Sequence, residues 1–202
     1  IAGALPFRVP IEAGGATANL LVPLYVVLAG AALAWLAPRL RSGGEERRPH
    51  AIEWLLVGAT VLYAAQSAYS ADVSKALEQV VFFYVPFALL YAVLRDVDWS
   101  PRLIARCLIV LVALAVVFVA IGYVEFWKRE LLLNPKVIAS NQFESYFRVN
   151  SLFFDPNIYG RFLMLVMLGV AAVVAWTARA RTALVGALLL ALLWAGLVLT
   201  FS

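Results

Sequence analysis

The chain has 202 residues, of which 64% are hydrophobic and only 14% charged. Soluble domains are close to half apolar and a quarter charged, so this composition excludes an ordinary water-soluble globule and specifies a bilayer protein. The net charge of +4 does not argue for nucleic acid, because the arginines sit in short breaks between long apolar runs, where membrane topology accounts for them.

In chain order, the mixed opening with Gly14-Gly15 reads as an extracytoplasmic lead-in to the first of six apolar runs. These runs, near twenty residues each, cover 18–37, 52–69, 77–94, 103–126, 158–177 and 183–202. They predict an all-α fold, a polytopic transmembrane helix bundle of about six spans forming one membrane domain, 1–202. Pro86 falls within the third run and is expected to kink it, since proline removes one helical hydrogen bond. Trp35, Trp54, Trp99, Trp127 and Trp176 fall at or beside span ends, as an interfacial aromatic belt does, and anchoring accounts for them without a substrate. Cys107 is the single cysteine and His50 the single histidine, which excludes an internal disulfide and a multi-histidine metal site within these residues. The chain starts at Ile1 and stops at Ser202 straight after an apolar run, so a segment of a longer polytopic protein is expected.

Charge orients the spans. Arg39, Arg41, Arg47 and Arg48 follow the first, Arg95, Arg102 and Arg106 join the third to the fourth, and Arg179 and Arg181 join the fifth to the sixth. The positive-inside rule places these three connections in the cytoplasm. The opposite side receives Arg8, Lys75 and one long loop in which Lys128, Arg129, Lys136 and Arg148 are balanced by Glu125, Glu130, Glu144 and Asp155. The expected location is a bacterial cytoplasmic (inner) membrane, crossed several times.

That loop, from Trp127 to Asn157, is far longer than a helical connection needs. It is half apolar, and two readings stand side by side: a segment lying on the outer membrane surface, or a surface helix packed over the bundle. Its end is sharper. Asp155 suits an N-cap and Pro156 the first helical position, so the fifth span is expected to begin there. The N–H groups and positive dipole end of that helix make an anion site. Asn157 and Arg161 share one helical face, and Arg148 precedes the helix closely enough to fold back on it. Two guanidinium forks at a helix start fit phosphate oxygens. The plainer alternatives are that Arg161 snorkels to the interface or pairs with Asp155 or Glu144, and that Arg148 is a solvated loop charge. Asp72, Lys75 and Glu78 cluster at the outer start of the third span, and helix-start charge alone accounts for them.

The run Arg148 to Leu152 followed by Phe153-Phe154-Asp155-Pro156-Asn157 resembles the bacterial O-antigen ligase and polymerase superfamily, in which an arginine precedes a short aromatic turn and a Pro-Asn helix start. Thr17-Ala18-Asn19-Leu20-Leu21-Val22-Pro23-Leu24-Tyr25 is similar to an early helix of that group, and Leu199-Thr200-Phe201-Ser202 to the point where it continues into a Ser-Arg helix start. The resemblance implies an inverting glycan transfer from an undecaprenyl-diphosphate carrier on the extracytoplasmic face, without a metal or cofactor, in polysaccharide or lipopolysaccharide biosynthesis. The partners it implies are the lipid bilayer, the carrier-linked glycan and a glycan or lipid acceptor. Arg148 matches the family's diphosphate-binding arginine, whereas Arg161 and Asn157 come from helix geometry. The family's proposed base, a histidine in a later extracytoplasmic loop, has no counterpart here, since His50 lies in the basic connection. By itself this segment is expected to hold half of a donor site. A transporter or flippase half for a phosphate-bearing solute is the rival reading, against which stands the lack of an inverted repeat or a Gly/Pro-broken helix pair. A noncatalytic membrane module is the third.

Overall fold

The computed structural model describes residues 2–4, 6, 9–13, 16–42, 50–132 and 147–201. The middle of the long loop, with Lys136 and Glu144, lies outside the described residues, as do Arg8, Gly14, Gly15, Arg47 and Arg48. An antiparallel hairpin, β1 (Val9–Ala13) and β2 (Ala16–Leu20), pairs Ala13 with Ala16 and Val9 with Leu20. It occupies the lead-in and takes the first residues of the expected first span. The helices are α1 (Val22–Ser42), α2 (Ala51–Ser67), α3 (Val73–Arg95), α4 (Pro101–Lys128), α5 (Pro156–Trp176) and α6 (Ala180–Phe201). All but α2 are long and apolar enough to cross a membrane. With 17 residues, α2 spans about 25 Å, a little less than the ~30 Å hydrocarbon core.

By contacts the chain divides into two compact units, Val9–Asp98 and Trp99–Ser202, the second also taking in the short helical turn Ala2–Ala4. In the first unit, Pro86 has no N–H to give to the carbonyl of Phe82 four residues back. The Tyr25 hydroxyl supplies the missing donor at 2.6 Å. A π-helical stretch, Val80–Tyr84, lies immediately before this proline, so the expected irregularity takes the form of a widened turn. At one end of the unit the Trp35 indole donates to Asp96 at 2.7 Å, Arg39 pairs with Asp96, and Arg95 donates to Glu53 at 2.5 Å. These ties gather the end of α1, the start of α2 and the end of α3, in accord with the alternation read from charge. Asp72 caps α3 by accepting from the Lys75 amide at 3.0 Å, which accounts for that member of the helix-start cluster.

The second unit is the better packed. Ser100 caps α4, its hydroxyl accepting from the Leu103 amide at 3.2 Å, and Pro101 takes the first helical position. Ala115, Phe118 and Val119 of α4 meet Tyr159, Phe162, Leu163, Val166 and Val170 of α5 and Leu193 of α6 in one core. Gly196 lets α6 close on α4: a Cβ there would stand 2.7 Å from a methyl of Val119. The two ends of this unit differ. One carries Arg102, Arg106, Arg179 and Arg181; at the other, the chain ends of α4 and α6 and the start of α5 converge on residues 147–155.

Candidate functional site

The convergence begins with a helix start. Asp155 is the N-cap of α5 and its carboxyl accepts from the Asn157 amide at 2.6 Å, with Pro156 following. The sequence expectation for this boundary holds to the residue. Just upstream, Phe153 is driven into the core, its ring 5.3 Å from Phe118 edge-on, 5.5 Å from Tyr159 and 5.5 Å from Phe162. Each such aromatic pair contributes roughly 0.5–1.5 kcal/mol beyond simple burial. The aromatic turn is therefore a plug that fixes the segment before α5.

Arg148 is held beside that start. Its Nε donates to the Thr200 carbonyl at 3.1 Å and a terminal nitrogen to Asn157 Oδ1 at 3.1 Å. The neighbouring Val149 amide donates to the Leu199 carbonyl at 3.0 Å. Those two carbonyls lie in the last described turn of α6. Arg148 thus ties residue 200 of α6 to the start of α5. The fold-back expected from sequence is present, and Asn157 is the residue that receives it.

Arg161 stands apart. It is exposed and has no hydrogen-bond or ion-pair partner among the described residues. It shares the exposed face of α5 with Asn157, Met164, Leu165 and Leu168, while Tyr159, Phe162, Leu163 and Val166 take the buried face. Pairing with Asp155, one of the plainer alternatives, does not occur, and Glu144 lies outside the described residues.

A residue that sequence reading left among the loop charges turns out to organise the site. Glu125, near the end of α4, is fully buried. One carboxyl oxygen accepts from the Leu132 amide at 3.1 Å and the other from the Ser151 amide at 2.7 Å. Ser151 adopts a left-handed backbone at φ 51° and its hydroxyl donates to the Phe118 carbonyl at 2.8 Å. A non-glycine residue in that region costs of order 1–3 kcal/mol unless its surroundings impose it, and here both its amide and its hydroxyl are claimed. Gly122, one turn before Glu125, permits the approach: a Cβ there would lie 2.9 Å from Val149 Cγ1 and 3.4 Å from the Tyr159 hydroxyl. The signal was available, since Ala115, Phe118, Gly122 and Glu125 recur at three- and four-residue spacing on one face of α4.

No family model, no curated protein and no solved structure matches the chain. The site's chemistry therefore rests on its geometry. A guanidinium fixed at two points, a capped helix start beside it and a second guanidinium one turn along the helix suit an anion with several oxygens. Glu125 is suited to holding the loop rather than to activating an acceptor, because both of its oxygens are occupied and its side chain is buried. His50, at the N-cap of α2 in the first unit, lies 3.7 Å from Glu53.

Proposed function

We propose that this multi-pass membrane protein carries the donor site of an O-antigen ligase- or polymerase-like enzyme, which transfers a glycan from an undecaprenyl-diphosphate carrier to a glycan or lipid acceptor at the extracytoplasmic face of a bacterial inner membrane. The observation that carries the reading is the placement of Arg148. Its guanidinium is oriented by Asn157 and by the Thr200 carbonyl of α6, so its direction is set before a diphosphate arrives. Preorganised positive charge stabilises a departing diphosphate without a metal. Arg161, on the same face of α5 as Asn157, takes the outer phosphate, and the acceptor's base comes from elsewhere in the protein.

In the full-length protein, Arg148→Ala and Arg148→Lys are expected to lose glycan transfer while remaining inserted in the membrane, because lysine supplies the charge without the two-point fork. Transfer at the wild-type rate by Arg148→Ala rules out the donor-site assignment. Arg161→Ala is expected to weaken binding of the lipid diphosphate, and unchanged affinity would reduce Arg161 to an interfacial anchor. A thiol introduced by Ser140→Cys should react with an impermeant reagent from outside; labelling from the cytoplasm alone would invert the topology.

A further inference from the structure

At the end of the second unit opposite Arg148, a groove of about 540 Å³ runs between α4 and α6 with α5 as its floor. That volume is within the ~300–1,000 Å³ range of small-molecule sites. Its walls are apolar, including Val112 and Ala113 of α4, Val170 of α5, and Val185 and Leu189 of α6. One charged residue, Arg181, lines it. Arg102 and Arg106 stand on the same face of α4 as the groove residues Ile109 and Ala113, at steps of four, three and four residues. By helical rise they lie about 10 Å and about 4.5 Å nearer the helix start than Ile109. Arg102, Arg106 and Arg181 are exposed and have no hydrogen-bond or ion-pair partner among the described residues. No Asp or Glu occurs in 99–124 or 156–202, and Asp98, four residues before Arg102, pairs with none of them among the described residues.

We infer that this groove seats one acyl chain of an anionic membrane phospholipid, with its phosphate held by Arg102, Arg106 and Arg181. The positive-inside rule accounts for arginines at this end, but not for their alignment over an apolar trough of this size. An acyl chain covers the apolar walls, and a phosphate diester supplies the acceptors that the guanidinium donors lack. Basic pockets between transmembrane helices recognise anionic headgroups in this way. The inference does not rest on the donor-site reading, which concerns the other end of the unit.

The test is to titrate the purified full chain in detergent with palmitoyl-oleoyl phosphatidylglycerol or phosphatidylcholine and to count retained lipid by native mass spectrometry. One phosphatidylglycerol should be retained, with a preference over phosphatidylcholine of at least about tenfold, the arginines contributing roughly fivefold each near a surface. Combined Arg102→Gln, Arg106→Gln and Arg181→Gln should abolish that preference. Val185→Trp and, separately, Ala113→Trp should lower retention of the anionic lipid with all arginines intact, since they fill the trough. Equal retention of the two lipids would overturn the assignment. So would undiminished phosphatidylglycerol binding by both tryptophan variants, which would mean surface attraction alone. Efficient chain-to-chain cross-linking through Leu189→Cys in a Cys107→Ser background would give the groove to a second copy and equally overturn it.

Discussion

The two units use similar apolar helices and hold them in opposite ways. In the first, the tie between Arg39 and Asp96 lies at the rim, the two residues keeping 41% and 24% of their side-chain surface exposed. Among its described residues few apolar side chains are buried, Leu24, Leu28 and Val80 among them. In the second, a contiguous apolar core surrounds polar groups that are themselves buried, with Glu125, Asn150, Ser151 and Thr200 all nearly inaccessible. A rim pair keeps water as an alternative partner, so losing it costs little. A buried hub has no such alternative, because a donor deprived of its acceptor there stays desolvated.

That contrast makes graded predictions. Glu125→Ala should be the most damaging, as it strands the Leu132 and Ser151 amides and removes the reason for the left-handed turn. A loss of about 3–5 kcal/mol is expected, read as a drop in thermal midpoint of the detergent-solubilised protein, together with loss of any activity that needs Arg148 in place. Glu125→Gln should fall between, since an amide keeps one acceptor oxygen and presents a donor to the other backbone N–H. A midpoint unchanged in Glu125→Ala would show that the hub is not what holds the loop. Next is Gly122→Val, whose added carbons collide with Val149 and the Tyr159 hydroxyl. About 1–3 kcal/mol of overpacking is expected, and a wild-type midpoint would contradict the close approach. The smallest effect belongs to the rim: Asp96→Asn should cost under about 1 kcal/mol. An effect as large as that of Glu125→Ala would erase the distinction between the units.

Much of the architecture was legible in the residues. Apolar run lengths located six helices, and the boundary at Asp155-Pro156 was read correctly because capping is a local matter between neighbouring residues. The hairpin was missed because Ala18, Leu20 and Leu21 extend the apolar run and mask a change of backbone at its start. The role of Glu125 was missed for a different reason. Hydropathy treats an acid near a span end as the beginning of a loop, whereas periodicity along α4 places it in line with Phe118 and Gly122. Arg148 and Asn157 were recognised as one constellation, yet the part played by Thr200, 52 residues away, could not be seen from either.

What the sequence determined by itself was how many helices there are, roughly where they lie, the capped start of α5, and which ends carry the arginines. These follow from hydrophobic length, caps and charge, all of which act over a few residues. Tertiary structure alone decided that one carboxyl would bind two separate backbone amides and that the Thr200 and Leu199 carbonyls of α6 would receive Arg148 and Val149. Backbone donors and acceptors are the same at every residue, so their pairing is chosen by packing.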